Sequence, residues 1–209
     1  MKLYDCKTAP SPRRVRIFAA EKGLDIELVP VDLGSGEQFG EAFRAVNPDC
    51  VVPVLELDDG SRLSEVFAIC QYLEEVHPQP PLFGSSPVAR AEATMWNSKV
   101  EQQGLMAMAE AFRNSVPGLK GHAVTGSENY EQIPALAERG RRRVAAFFAR
   151  MDTRLGEHEF VAGDRYTIAD ITLLVTADFA LRMKFGLGDG NNKLQRWYDS
   201  VAARPSATA

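Results

Sequence analysis

One stretch of this chain, from Val51 to Glu75, restricts its possible folds more than any other. It reads as an apolar strand that contains Pro53, a turn at Asp59-Gly60, a second short strand and an amphipathic helix. An Asp-Gly pair between apolar runs is a strong β-hairpin signal. A proline cannot donate to the ladder of a strand, so Pro53 needs another explanation. A cis bond in a turn, with neighbouring backbone groups left free to bind a ligand, provides one.

Strand and helix signals alternate in the part of the chain before residue 80. The predicted order is β-α-β followed by β-β-α, and Gly23 marks the end of the first helix. The proline-containing strand, the hairpin and a helix that begins at Ser64-Glu65 predict a thioredoxin-like ligand site. The predicted elements are a strand Lys2–Asp5, a helix Pro12–Lys22, a strand Ile26–Leu33, a hairpin of Pro53–Leu57 with Arg62–Leu63, and a helix Glu65–Val76.

The segment His77–Pro87 is rich in proline, glycine and serine and is typical of a linker. Apolar residues recur at helical spacing in the remainder of the chain. We therefore predict an α/β plus all-α protein, with a thioredoxin-like domain at 1–78, a linker at 79–87 and an all-helical domain at 88–209. The predicted helices are Ala89–Arg113, Asn129–Leu155, Ile168–Met183 and Asn192–Ala202.

The third of these helices has a clear start. Thr167 and Asp170 have the spacing of a capping box, in which each side chain bonds the other residue's backbone. Tyr166 and Ile171 have the spacing of a hydrophobic staple. We expect this motif to hold a buried helix start and to perform no chemistry.

Composition excludes several classes of partner. A chain of 209 residues with 45% hydrophobic residues can bury a real core. The net charge of −4 and the lack of basic clusters with interleaved aromatics argue against nucleic acid. The one basic run, Arg139–Arg143, is predicted to be a solvated helix face. The chain has no apolar run of about 18 residues, so no membrane span is predicted. The N-terminal MKLYDCKT does not resemble a signal peptide.

Cysteine and histidine usage predicts no metal site. The three cysteines are odd in number and lack the spacing of metal ligands, which fits a reducing cytoplasm. His77, His122 and His158 are distant from one another and from the cysteines along the sequence.

The loop Lys7–Pro12 connects the first strand to the first helix. Ser11 precedes Pro12 and occupies a position typical of a helix N-cap. A hydroxyl there can simply cap the helix. It can equally take part in anion binding, because unpaired N–H groups and the helix dipole favour a negative charge and lower the pKa of a bound thiol. Spacing alone leaves both interpretations open.

Four segments together resemble the cytosolic glutathione transferases along essentially the whole chain. They are APSPRRVRIFAAEKG, VPVDLGSGEQF, NPDCVVPVLELDDGSRLSE and FVAGDRYTIADITL, in this order and with this linker. The chain is most similar to the bacterial Nu-like group, which uses a Thr/Asn-type loop in place of a catalytic tyrosine. The resemblance implies a glutathione-binding thioredoxin-like domain and a helical domain that carries the pocket for the second substrate.

The same resemblance assigns roles to individual residues. Val52 would pair its backbone with the cysteinyl part of glutathione, beside the cis bond to Pro53. Glu65 would bind the γ-glutamyl end at a helix N-terminus, and Gln38 the glycyl end. Ser11 is the expected catalytic residue, because it falls on the thiol-directed position of the Nu-like loop.

The chain also departs from the family pattern. The family usually has serine after the acidic residue, and Val66 stands there in this chain; its N–H remains, and Ser64 could supply a hydroxyl. The lost charge-assisted hydrogen bond is worth about 1.5–3 kcal/mol. The serine of theta- and zeta-like members would fall on Ala9, which makes Thr8 the nearest hydroxyl.

The resemblance implies a cytoplasmic glutathione transferase that uses glutathione as co-substrate and no metal. The thiolate would attack an electrophile or a disulfide, and Cys6 or Cys50 could lie near it. A homodimer is implied, with Glu101, Gln102 or Gln103 of the partner helping Glu65. The alternative is a non-catalytic binding or interaction protein of the same fold, which Val66 favours. Candidates for the second-substrate wall are Trp96, Met106, Met108 and Phe112, although such a stripe is more often core or dimer interface.

Overall fold

The computed structural model describes residues 1–209 and divides into two compact units. The first unit consists of Met1–Pro80, Thr125–Glu128 and Thr208–Ala209. The second consists of Pro81–Val124 and Asn129–Ala207. A mixed sheet with helices forms the first unit and helices form the second, so the predicted fold class is confirmed.

The first unit is built on a four-stranded sheet with the strand order β2-β1-β3-β4. Strand β1 is parallel to β2 and antiparallel to β3, and β3 is antiparallel to β4. The parallel pair requires a crossover connection, which helix α1 provides. The elements are β1 (Lys2–Asp5), α1 (Pro10–Glu21), β2 (Glu27–Pro30), α2 (Glu41–Arg44), β3 (Val54–Glu56), β4 (Arg62–Ser64) and α3 (Val66–Val76).

The predicted hairpin is present between β3 and β4. Ser61 donates its backbone N–H to Oδ1 of Asp59 at 2.9 Å. Gly60 has φ +84°, a left-handed conformation that glycine adopts without steric cost. The Asp-Gly pair therefore forms the turn in two ways: the side chain of Asp59 accepts a hydrogen bond, and Gly60 adopts the backbone conformation that the turn needs.

Both faces of the sheet are covered by apolar side chains. Leu3 and Leu55, which pair across β1 and β3, are fully buried. The opposite face carries a cluster in which Phe43 of α2 packs with Val31 and Val54. Helix α2 was not predicted from the sequence, because a single turn is too short to produce a periodic pattern.

The second unit is helical, and the long helix predicted at Ala89–Arg113 is one continuous helical stretch. Its centre is a π-helical segment, Glu101–Leu105, which the sequence did not predict. Gly104 within it faces Phe147 so closely that a Cβ would lie 2.5 Å from the ring. The helices are α4 (Pro87–Val100), α5 (Met106–Arg113), α6 (Pro134–Glu157), α7 (Ile168–Arg182) and α8 (Asn192–Ala202).

Helix α6 differs from its prediction in two respects. It begins at Pro134 rather than Asn129, because the residue before a proline avoids the helical conformation. Its basic run is only partly a solvated face: Arg139 and Arg143 both pair with the carboxylate of Glu110 on α5.

The capping box at the start of α7 is confirmed. The carboxylate of Asp170 is fully buried and accepts hydrogen bonds from the backbone of Thr167 and of Val161, at 3.0 and 2.9 Å. The indole N–H of Trp197 on α8 donates to the same carboxylate at 3.1 Å. Burial raises the pKa of Asp170 to about 6, against the effect of these donors. No helix of the protein has both the length and the apolar composition needed to cross a bilayer.

Candidate functional site

The turn before β3 exposes main-chain groups beside Pro53. The bond between Val52 and Pro53 is cis. A side-chain hydrogen bond stabilises the turn: the amide of Asn47 donates to the carbonyl of Val51 at 2.9 Å. Cys50 has φ +58°, an uncommon value for a residue with a side chain. The N–H and C=O of Val52 make no hydrogen bond within the protein, so they are available to a ligand.

The start of α3 lies next to this turn. Ser64 of β4 pairs with Val54 of β3, and Glu65 follows as the N-cap residue of α3. Glu65 has φ +68° and ψ 122°, its side chain is exposed, and it makes no capping hydrogen bond. Such a backbone conformation is costly for a residue with a Cβ and often marks a functional site. Val66 directs a buried side chain into the core.

The prediction that Ser11 is the N-cap of α1 is wrong. The helix begins at Pro10 and its N-cap residue is Ala9, so Ser11 is the second helical residue. Proline suits the first turn of a helix, and this loop has two prolines, of which Pro10 rather than Pro12 takes the first position. The Ser11 hydroxyl accepts a hydrogen bond from Nη2 of Arg14 at 3.4 Å.

Thr8 and Cys6 lie in the loop between β1 and α1, whereas the other two cysteines lie elsewhere in the first unit. Thr8 is exposed, and its hydroxyl is 3.5 Å from Sγ of Cys6, which is half-buried. Cys50 is buried, and its thiol donates to the carbonyl of Pro48. Cys70 is fully buried in α3. All three cysteines are free thiols.

Gln38 lies in a short 3₁₀ turn, Glu37–Phe39, after a tight loop. The loop is ordered by Asp32, whose carboxylate accepts the N–H groups of Gly34 and Ser35. These hydrogen bonds, with those of Ser35 dominant, lower the pKa of Asp32. The side-chain oxygen of Gln38 is buried and has no partner within the protein.

The residues proposed for the second-substrate wall do not form one surface. Met108 is fully buried in the core of the second unit, which agrees with the core alternative for this residue rather than with a pocket wall. The cations of Lys99 and Arg154 each lie 4.4 Å from the ring centre of Trp96. Phe112 packs edge-on against Phe179. The structure contains no cluster of three or more metal-ligating side chains.

Comparison with known proteins identifies the family of the chain. The model of the glutathione S-transferase N-terminal domain matches residues 8–76, and that of the C-terminal domain matches residues 105–205. Glutathione S-transferase 2 of Saccharomyces cerevisiae is 34% identical over 208 residues, which cover 99% of this chain and 87% of that protein. A maleylacetoacetate isomerase of Pseudomonas aeruginosa is 31% identical over 218 residues, which cover 99% of this chain and 93% of that protein.

A solved structure extends the similarity to three dimensions. The crystal structure of a glutathione S-transferase domain-containing protein of Marinobacter aquaeolei superposes with a TM-score of 0.91 at 39% identity, covering 99% of each chain. The chain therefore belongs to the glutathione S-transferase family. The finer assignment to the Nu-like group stays a prediction.

Proposed function

We propose that this protein is a glutathione transferase, which activates the thiol of glutathione for attack on an electrophile or a disulfide. One observation supports it above the others: the unpaired main chain of Val52, beside cis-Pro53, lies next to a helix start at which Glu65 holds a left-handed backbone conformation. An extended peptide can pair with the main chain of Val52 and direct a charged end toward the start of α3.

The γ-glutamyl end of glutathione would lie at the start of α3. The carboxylate of Glu65 is suited to its ammonium group, because a charge-assisted hydrogen bond is among the stronger polar contacts. The backbone N–H of Val66 and the hydroxyl of Ser64 would bind its carboxylate, which the positive end of the α3 dipole also favours. Val52 would pair with the cysteinyl residue, and Gln38 would bind the glycyl end.

The sulfur of glutathione would lie at the N-terminus of α1. Pro10 and Pro12 have no N–H, so Ser11 supplies the backbone donor of the first turn as well as a hydroxyl. Both donors and the helix dipole favour the thiolate over the thiol. The thiol proton leaves for solvent, and the sulfur forms a bond to the electrophilic atom while the leaving group departs. Thr8 is the second candidate hydroxyl, and Cys50 a candidate neighbour of the sulfur.

We further propose that the protein is a cytoplasmic homodimer. Three free cysteines fit a reducing compartment. Exposed apolar side chains on one helical stretch, Val88, Met95 and Met106, support an association surface. Glu101, Gln102 or Gln103 of the partner would then lie near Glu65.

The decisive experiment measures glutathione binding by the purified protein and its Glu65→Gln variant. We expect retention of the wild type on immobilised glutathione and a thermal shift at millimolar glutathione. The dissociation constant should rise about tenfold or more in the variant, because a charge-assisted hydrogen bond is worth about 1.5–3 kcal/mol. Glu75→Gln, an exposed change on the same helix, is the matched control.

The second candidate function is a non-catalytic module that binds ligands or proteins. Its support is Val66, which replaces a ligand-binding hydroxyl with a buried apolar side chain. No retention and no thermal shift with the wild-type protein would favour this alternative. If glutathione binds, assays with an aryl halide, a small mixed disulfide and a cis-alkene diacid separate conjugation, reduction and isomerisation.

A further inference from the structure

A buried ion pair underlies the loop between β1 and α1. Asp5, the last residue of β1, and Arg16, in the second turn of α1, are 5% and 8% exposed. Nη1 of Arg16 bonds the carboxylate of Asp5, and Nη2 donates to the carbonyl of Lys7 at 3.1 Å. One guanidinium thus joins the end of a strand, the following loop and a helix.

Stability alone is a weak explanation for this pair. Removing two charges from water is costly, and a well-packed apolar pair of similar volume is often as stable or more stable. What an apolar pair cannot reproduce is the planar fork of Arg16, which binds a carboxylate and a carbonyl in one fixed orientation. The pair therefore specifies geometry.

The ion pair of Asp5 and Arg16 fixes the conformation of the loop Cys6–Ala9. Its strand end is fixed, because the carbonyl of Asp5 accepts the N–H of Val31 at 2.7 Å. Its helix end closes on itself, since the N–H of Ala9 donates to the carbonyl of Cys6 at 2.9 Å. Ala9 offers α1 no side-chain cap. The bond from Arg16 to Lys7 therefore ties the loop to the buried side of α1.

We propose that Arg16 is a positioning residue for the thiol of glutathione. Through Asp5 and Lys7 it holds the β1–α1 loop so that the first turn of α1 is aimed at the sulfur. Arg16 itself does not touch glutathione. The inference rests on the proposed transferase function and adds to it the residue that sets the orientation of the thiolate-stabilising helix end.

The test uses Arg16→Lys in the full-length protein. A lysine keeps a cation opposite Asp5, but its point charge cannot also hold the carbonyl of Lys7 in a planar fork. We expect kcat with an aryl halide to fall roughly 10- to 100-fold, because a small displacement of reacting groups carries that cost. The KM for glutathione should change less than about threefold, since the site at α3 is untouched. The pH at which kcat rises with thiol ionisation should move upward.

Two further variants keep the inference testable. Arg196→Lys is the matched control, because Arg196 also donates to a main-chain carbonyl, that of Leu155 at 2.9 Å, in the second unit; its kcat should remain that of the wild type. Asp5→Leu combined with Arg16→Met removes both charges and should fold while keeping the low kcat and the shifted pH profile.

The outcomes separate the two proposals. A folded Arg16→Lys variant with wild-type kcat and pH profile would overturn the positioning role and leave the transferase function intact. A double variant that regains wild-type kcat would show that the pair only packs. A wild-type protein that neither binds glutathione nor turns over substrate would remove both proposals.

Discussion

Ser64 pairs with Val54 across β3 and β4, so the residue before Glu65 lies beside the residue after Pro53. The hairpin thus folds the Val51–Glu75 segment back on itself. The main chain of Val52 and the start of α3, which are distant along the sequence, become two ends of one short surface. That surface is where we propose that glutathione binds.

Replacing Val66 tests whether the lost hydroxyl limits glutathione binding. Val66→Ser restores a hydroxyl at the first helical position of α3. We expect the dissociation constant of glutathione to fall about tenfold, the lower end of what a hydrogen bond to a charged group provides. Val66 is 6% exposed, so unfolding should become easier by about 1–3 kcal/mol.

Val66→Ala separates these two effects. It removes nearly the same apolar volume without supplying a hydroxyl, so it should lose stability and gain no affinity. Calorimetric titration with glutathione and urea unfolding provide the two measurements. Equal affinities of the serine and alanine variants would contradict the role assigned to the hydroxyl.

Ser11→Ala tests the proposed catalytic residue. The Ser11 side chain is not the cap of α1, so the free energy of unfolding should stay within about 0.5 kcal/mol of the wild-type value. If the hydroxyl stabilises the thiolate, kcat should fall about tenfold, the value of one hydrogen bond to a charged group. Steady-state kinetics and chemical unfolding of the same samples check both statements.

Thr8→Ala is the companion variant, because Thr8, in the loop just before α1, is the other candidate hydroxyl. Its kcat should resemble that of the wild type. The reverse result, with Thr8→Ala impaired and Ser11→Ala active, would transfer the thiol-directed role from Ser11 to Thr8.

Short-range signals in the sequence predicted the fold well, and the reason is physical. Asp59-Gly60 and Thr167 with Asp170 define a turn and a helix start through contacts between near neighbours, which any chain with those residues can make. The start of α1 was misjudged because Pro10 and Pro12 satisfy the same local preference equally well. Only the surrounding structure decides between them.

The candidate site was less predictable than the fold, because its features depend on the surrounding structure and not on near neighbours along the sequence. The left-handed backbone of Glu65 is imposed by the junction of β4 and α3, and glutamate carries no local preference for it. The pair of Arg16 and Asp5 forms between residues eleven positions apart, once a strand and a helix have packed. Sequence spacing gave no sign of either feature.

The buried carboxylate of Asp170 should make stability depend on pH. Its pKa is raised from 3.8 to about 6 by burial, so between these values the folded protein binds more protons than the unfolded chain. The stability contributed by this group is therefore fully present below about pH 4 and is lost as pH rises through about 6. The full stability contribution that is lost is about 3 kcal/mol, since one pKa unit corresponds to about 1.36 kcal/mol.

The effect is measured by comparing the free energy of urea unfolding of the wild type and of Asp170→Asn at pH 4.5 and pH 7. The variant has no carboxylate to titrate and loses an acceptor of the capping box, so it should be less stable at both pH values. Between pH 4.5 and pH 7 the wild type should lose about 2 kcal/mol more stability than the variant, because this interval covers only part of the titration. Asp189→Asn, in an exposed loop, should leave the wild-type pH dependence unchanged; an equal pH dependence in all three proteins would contradict the assignment.

Gly140→Ala tests the close approach of α5 and α6. A Cβ at Gly140 would lie 2.6 Å from the backbone nitrogen of Ala111 and 2.8 Å from the carbonyl oxygen of Ala107. Alanine improves helix propensity by about 1 kcal/mol over glycine, but two backbones would have to separate to admit it. We therefore expect a net destabilisation of about 1–3 kcal/mol, the usual cost of overpacking. Gly156→Ala in the same helix is the control, because the atoms nearest to its Cβ would be those of the flexible side chain of Lys193. Thermal unfolding should rank Gly140→Ala clearly below both the control and the wild type; a Gly140→Ala variant as stable as Gly156→Ala would show that the two helices can separate at little cost.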